Sequence, residues 1–316
     1  MRALLLGARG AVGAVVHREL QCAGGSVTAA SRRADGPAGI DLRGDLAPLA
    51  HLAAAHDVVI NASGIERVEI AAATGSTPLV DISATGAYLD ALRSAAAGPV
   101  VLGAGLVPGL STILTAALDS RADDAIDVLV MLGAGEQHGP AAVAWTAGLV
   151  GTDVHRPSEN RPVRNLRESL REAGPDGRTR RYLRADFPDH ILLGREAGPV
   201  IRSFLALDSA AMTAALGIVG RLPALRGALS AAPHIGTDAW HVVARNRRTG
   251  ERRQAAGRGQ SEATGRLAAL AATQAVATAR AASARAASGT GPGGAGIGAV
   301  TMADLVSPEE AVAVLR

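Results

Sequence analysis

Arg2-Ala-Leu-Leu-Leu-Gly7-Ala-Arg9-Gly10-Ala-Val-Gly13 is the stretch on which the fold turns. A short apolar run stops at a glycine, two more glycines follow at three-residue spacing, and Ala11 to Leu20 then reads as a helix packed closely through alanines. A glycine trio alone is a weak signal. Closing the first strand and opening the first helix is what gives it meaning. The first glycine permits the tight turn and the second lets the backbone approach a pyrophosphate. The third lets the helix pack against the sheet, while the helix N-terminus offers free amides to phosphate. Gly7, Arg9, Gly10, Ala11, Val12 and Gly13 are therefore candidate cofactor-binding positions.

Working outward, strands are predicted at Ser26–Ser31, at a shorter stretch ending near Asp41, and at Asp57–Asn61, Pro78–Ile82 and Pro99–Gly103, with helices at 46–55, 65–74 and 86–96. Asp57-Val-Val-Ile-Asn61 is almost continuously apolar, as a parallel strand covered on both faces must be. Six strands with short crossovers predict a doubly wound parallel α/β sheet of Rossmann type. The rhythm changes after a helix at 109–118. Candidate strands at 125–132, 200–208 and 239–245, and an arginine-rich stretch at 156–205, predict an inserted α+β domain. There Arg164, Arg167 and Arg171 recur at helical spacing, with Glu168 and Glu172 as local partners. A long Ala-rich helix at 261–287 stops before Ser288-Gly-Thr-Gly-Pro292, and Ser307-Pro-Glu-Glu310 opens a last helix as N-cap, first-turn proline and acids.

The strand ends carry the chemistry. Where an NAD site places an acid after the second strand, this chain has Ser31-Arg32-Arg33, and guanidinium groups pair with a 2′-phosphate that a carboxylate would repel. Arg9 can add to the same pocket, so the expected cofactor is NADP. Asn61-Ala62-Ser-Gly64 follows the fourth strand, where the strand order should reverse, and would lie along the nicotinamide half. Asp81-Ile-Ser83-Ala-Thr85, with Tyr88 beyond, follows the fifth; for Asp81 the competing role is to cap the next helix or bind loop amides. Gly103-Ala-Gly105-Leu-Val-Pro108-Gly109 reads as a rigid turn leading away from the sheet.

Composition excludes several classes. All 32 basic residues other than histidine are arginine, so Schiff-base, P-loop and Tyr-x-x-x-Lys chemistries are ruled out for want of a lysine. A net charge of +3 and six scattered aromatics give no nucleic-acid platform. One cysteine, Cys22, forms no internal disulfide or thiolate cluster and is expected to be small and buried; no metal site is expected. No membrane-spanning apolar run or signal pattern is present, so a cytoplasmic protein is expected.

Gly7-Ala-Arg-Gly-Ala-Val-Gly13, Val80-Asp-Ile-Ser83 and above all Gly103-Ala-Gly-Leu-Val-Pro-Gly-Leu-Ser111 resemble the saccharopine dehydrogenase-like oxidoreductases. Gly259-Gln-Ser-Glu-Ala-Thr-Gly265 and Gly296-Ile-Gly298 with Ser307-Pro-Glu-Glu310 resemble later segments of that family. The likeness is good over 1–120, fair over 235–316 and poor between. It implies a dinucleotide-binding domain of 1–120 plus 261–316, with 121–260 inserted as a substrate or dimerisation domain, and a homodimer as one candidate assembly. A doubly wound sheet also needs helices on both faces, which gives 261–287 a physical reason to return to it. The implied reaction reduces or forms a C–N bond in a small amino-acid-like metabolite. The chain is shorter than saccharopine-forming enzymes in the inserted part, so catalytic residues do not carry over.

Hydride transfer needs a held nicotinamide face and a proton donor. Tyr88, Asp81 and His138 are the catalytic candidates and Arg202 the candidate clamp for a substrate carboxylate, while His241, alternating with apolar neighbours on a strand, reads either as structural or as a further donor. Two other readings stay open: reduction of a C=O or C=C bond in a small metabolite, and a non-enzymatic dinucleotide-binding sensor or partner subunit.

Overall fold

The computed structural model describes the chain except for residues 137–139, 195–197, 230–235 and 289–297. From the N-terminus it runs β1 (Arg2–Leu6), α1 (Ala11–Cys22), β2 (Ser26–Ala30), α2 (Ala47–Ala53), β3 (Val58–Asn61), α3 (Glu69–Thr74), β4 (Leu79–Asp81), α4 (Gly86–Ala95) and β5 (Val100–Leu102). There follow α5 (Leu110–Ala116), β6 (Ala125–Leu132), α6 (Pro140–Gly148), β7 (Ser169–Ala173), β8 (Thr179–Arg184), α7 (Asp189–Leu193), β9 (Val200–Leu207), α8 (Ala210–Arg221), β10 (Ala239–Asn246) and β11 (Arg252–Arg258). The chain closes with α9 (Gln260–Ala287), β12 (Ala299–Thr301) and α10 (Pro308–Ala313).

Contacts divide it into two units: Met1–Ser83 with Tyr88–Gly105 and Thr264–Arg316, and Ala84–Ala87 with Leu106–Ala263. The first holds a parallel sheet in the order β12-β5-β4-β3-β1-β2. From β1 the chain steps one way to β2, then crosses back to β3 on the other side and continues outward. Right-handed crossovers in opposite directions put helices on opposite faces, which is the doubly wound, Rossmann-like arrangement. β1, β3 and β4 bury apolar runs, Leu4, Leu5, Val59, Ile60, Leu79 and Val80 among them, and β3 and β4 end in the buried polar residues Asn61 and Asp81. α9 approaches α1 closely: a Cβ on Gly265 would stand 2.5 Å from Val15 Cβ, so only a glycine allows that contact. α10 begins with the capping box that Ser307 and Glu310 announce.

Two expectations fail in this unit. The strand ending near Asp41 is a turn of 3₁₀ helix, Gly36–Ala38, with a single bridge from Ser31 to Gly39. Pro37 has no amide to give a ladder, and Gly36 sits at φ +63°. The sixth strand is instead β12, close to the C-terminus. Cys22, expected to be buried, is exposed as the last residue of α1.

The second unit is a mixed sheet in the order β11-β10-β6-β9-β8-β7. It curls until its two edges meet. Glu172 of β7 accepts from Arg245 of β10 and lies 3.7 Å from Arg252 of β11, and Arg252 also donates to the Ala173 carbonyl at 2.5 Å. The concave face so enclosed packs Leu129, Met131, Tyr182, Phe204, Ala206 and Val243. Arg184 and Arg202 each lie 5.6 Å from the Phe204 ring centre, over its face. Arg184 is fully buried, donating to the carbonyls of Ala185 and Ser203 and pairing with Glu159 at 3.1 Å. The helical face expected from Arg164, Arg167 and Arg171 is absent. Asn160 and Leu166 take left-handed φ values of 52° and 62°, which no helix tolerates, and Arg171 lies on β7.

Candidate functional site

β1 and β3 are neighbours in register, Leu6 opposite Asn61, and the strand order reverses between them. Gly7 therefore leaves β1 where ligands of doubly wound sheets bind. Its φ is +87°, and a Cβ there would lie 2.4 Å from the Ala62 carbonyl oxygen and 2.6 Å from Ser63 Cα. Both conformation and space demand glycine. Gly13 is just as constrained, since a Cβ would stand 2.1 Å from the Gly7 oxygen. Gly10 is different: its only close neighbour for a Cβ would be the Gly7 oxygen at 3.4 Å, and the residue is exposed. The protein's own packing thus explains the outer two glycines and leaves the middle one facing solvent.

The turn is held by Gly10 N–H donating to the Gly7 oxygen at 3.0 Å, and Ala14 N–H to the Gly10 oxygen at 2.9 Å. Gly10 is the N-cap of α1, and with no side chain it offers no acceptor. The amides of Ala11, Val12 and Gly13 occupy the first three helical positions, where no i−4 carbonyl exists within the helix. Beside the turn lies a cleft of about 210 Å³ lined by Gly7, Arg9, Gly10, Ala30, Ser31, Ala62 and Ser63, among others. Arg9, Arg32 and Arg33 are exposed around it, and among the described residues no acid lies within ion-pair distance of them. Ser31 Oγ accepts the Arg33 amide at 3.3 Å and so fixes the course of that turn. The cradle suits an anion: unpaired amides, a helix N-terminus and unopposed guanidinium groups.

Asn61, Asp81 and Tyr88 are brought together, beneath the strand ends. Asp81 is fully buried; its Oδ2 accepts from Asn61 Nδ2 at 2.8 Å and Tyr88 Oη at 3.0 Å, and its Oδ1 from the Ser83 amide at 2.8 Å. Burial pushes the Asp81 carboxyl up, against the pull of those donors. Burial, and then the Asp81 charge, pushes the Tyr88 hydroxyl far above its ordinary range. Asn61 Oδ1 in turn accepts from Ser63 Oγ at 2.6 Å, and Gly64 turns the loop at φ +71°. Asn61 and Asp81 thus join the ends of β3 and β4, with the Tyr88 hydroxyl bonded to the same carboxylate. Gly105 donates to the Gly103 oxygen at 3.1 Å in the turn after β5.

In the second unit Arg202 donates to Asp127 Oδ1 from Nε at 2.9 Å, so the intended carboxylate clamp already has its carboxylate, one strand away. His241 is buried, with Nε2 at 2.8 Å from Tyr182 Oη. Burial, reinforced by Arg180, pulls it down to about 4. It is structural. His138 lies outside the described residues. One cluster had no place in the sequence reading: Asp186-Phe-Pro-Asp189, directly after β8. Two acids bracketing Phe-Pro just after an arginine-rich strand are its signal. No helix among the described residues is long and apolar enough to cross a membrane, and no group of three or more acidic, histidine or cysteine side chains among them could hold a metal.

No protein-family profile matches the chain, and no curated protein sequence matches it. Solved structures similar to it include an engineered D-amino acid dehydrogenase bound to NADP+, at TM-score 0.43 and 15% identity over 98% of this chain and 95% of that one. Another is a probable aspartate-semialdehyde dehydrogenase from Pseudomonas aeruginosa, at TM-score 0.31 and 13% identity over 78% and 74%. A third is aspartate semialdehyde dehydrogenase II from Vibrio cholerae complexed with ASA, at TM-score 0.32 and 12% identity over 78% and 74%.

Proposed function

We propose that this chain is an NADP(H)-dependent oxidoreductase acting on a C=N bond of a small, carboxylate-bearing, amino-acid-like metabolite, as its saccharopine dehydrogenase-like motifs imply. The observation that carries the cofactor assignment is the Gly7–Gly13 turn, whose middle glycine answers to nothing inside the protein. The amides of Ala11, Val12 and Gly13 at the start of α1 would be offered to the pyrophosphate. Ser31, Arg32 and Arg33, with Arg9, would hold the 2′-phosphate, and Asn61 to Gly64 and Gly105 would line the nicotinamide half. When bound, a nicotinamide cofactor supplies or accepts a hydride. Asp81 and Tyr88 then act as positioning residues, keeping β3 and β4 in register, and the proton for the reduced nitrogen comes from another group.

The chemistry is tested by following NADPH oxidation with a panel of 2-oxo acids, each with and without ammonium and primary amines. Oxidation that requires both carbonyl and amine is expected. Oxidation by a carbonyl compound alone would replace this reading with C=O reduction, and none with any pair would contradict the C=N assignment.

A further inference from the structure

Within the second unit, α8 is apolar on two faces. One face, with Thr213, Leu216, Gly217, Val219 and Gly220, is buried. A Cβ on Gly217 would lie 3.5 Å from Leu183 of β8, and one on Gly220 only 2.4 Å from Leu166 Cβ. The other face is open, and from Ala210 to Gly220 every exposed side chain is apolar. Ala211, Ala214, Ala215, Ile218 and Leu222 recur at helical spacing and form one stripe, which Leu225 extends into the 3₁₀ turn Pro223–Leu229. Ile218 and Leu222 are each 54% exposed and Leu225 44%, and the large apolar side chains exposed among the described residues all lie here. Single exposed apolar residues are ordinary, but a contiguous group on a helix without a polar face marks a surface that something covers.

The charges at the two ends of the stripe fit one occupant. At its C-terminal end Arg221 donates to the carbonyls of Gly217 and Arg167, at 3.1 and 3.4 Å, and Arg226 to that of Val150. Among the described residues neither arginine forms an ion pair with an acid. At its N-terminal end stands Asp208, fixed by the Ala134 amide at 3.2 Å and the Thr237 hydroxyl at 2.9 Å, and likewise without an arginine partner among the described residues. Burial acts to raise this carboxyl, and its donors hold it below the usual range. A surface that is negative at one end, apolar in the middle and positive at the other is complementary to a copy of itself turned end for end. The helix dipoles agree, because antiparallel helices bring opposite ends together. A lipid surface or an acidic segment would match the arginine end alone.

We propose that α8 pairs antiparallel with α8 of a second copy of this chain across a two-fold axis, so that the protein is a homodimer. With the axis midway between Ala214 and Ala215, Ala214 faces the second copy's Ala215, Ala211 its Ile218 and Asp208 its Arg221, each pair being evenly placed about that midpoint. The smallest side chains then sit where the helices cross and let the backbones approach closely, while Leu222 and Leu225 close the strip at either end.

Sedimentation equilibrium of the full chain over a dilution series is expected to show reversible dimerisation. Ala215→Glu keeps a good helix former at an exposed position but sets two like charges beside the axis, and should weaken the dimer at least about tenfold. Cross-linking tests the register independently. In a Cys22→Ser background, Ala215→Cys should form an intermolecular disulfide on mild oxidation, whereas Ala211→Cys, about 10 Å from its counterpart along the paired helices, should not. A wild type that stays monomeric at every concentration up to about 100 µM overturns the proposal. So does a folded Ala215→Glu that dimerises as the wild type does, or cross-linking of Ala215→Cys no faster than of Ala211→Cys. Co-sedimentation of a monomeric protein with phosphatidylglycerol vesicles overturns it too, and assigns the face to a lipid surface.

Discussion

Gly10 and Gly13 are three residues apart in one turn, yet the structure asks different things of them. A methyl group at Gly13 would be driven into the Gly7 backbone at 2.1 Å, while one at Gly10 meets ordinary contact at 3.4 Å. Gly13→Ala should therefore destabilise the protein by about 3 kcal/mol or more, the upper range for forced overpacking. Gly10→Ala should cost about 1 kcal/mol or less, as for a change of N-cap residue. It should nevertheless weaken NADPH binding about tenfold or more, because the methyl group occupies the approach of the phosphate. Urea unfolding and NADPH titration of both variants check the contrast. Equal instability would mean that the turn is fixed throughout by internal packing. Both glycines could be recognised in the sequence; their division of labour could not, since it depends on how Ala62 and Gly7 pack around them.

At the scale of elements, the curled sheet of the second unit encloses a polar pair, and pH reports on it. Burial holds His241 down to about 4, so in the folded protein it is neutral at pH 7, and Tyr182, pushed up to about 12 by burial, keeps its proton beside it. In the unfolded chain the imidazole titrates near its ordinary 6.5. The folded value lies below the unfolded one, so the unfolded chain takes up the proton first as pH falls. The stabilisation is complete above about pH 6.5 and fades between 6.5 and 4, by at most about 3 kcal/mol. His241→Gln, which keeps an acceptor for Tyr182, should flatten this part of the stability profile relative to the wild type. Parallel profiles for the two proteins would show that His241 does not set the slope. The strands that carry this arrangement were unevenly legible. β6, β9 and β10 announce themselves as apolar runs. β7, β8 and β11 show no apolar alternation, because β8 and β11 are rich in arginine and charges pair across the sheet edges, as Glu172 of β7 does with Arg245 of β10 and Arg252 of β11.

For the whole molecule, the parallel sheet was readable from short apolar runs ending in glycine or a polar residue, but its last strand was not. β12 has three residues and is defined by pairing with Val100 to Leu102 nearly two hundred residues earlier in the chain, which no local pattern encodes. The first unit closes on itself through Thr264–Arg316, and the break between units falls after Gly105, so α5 groups with the second. The candidate site followed the same rule. Residues whose role is to shape backbone, such as Gly7, Gly13 and Ser31, were visible in the sequence. Roles set by partners from distant segments, such as Tyr88 on Asp81 or Arg202 on Asp127, emerged only with the fold.

The central claim is that the Gly7–Gly13 turn with Arg9, Arg32 and Arg33 takes a 2′-phosphorylated dinucleotide. The most direct measurement is a titration of NADPH and NADH against the wild-type protein and the Arg32→Ala, Arg33→Ala double variant. The wild type should prefer NADPH. The double variant should lose roughly 2–4 kcal/mol of NADPH binding, at about 1.5–3 kcal/mol per charged hydrogen bond, while its NADH affinity hardly changes. Equal affinity of the wild-type protein for the two cofactors, or an equal loss of both in the variant, would contradict the account.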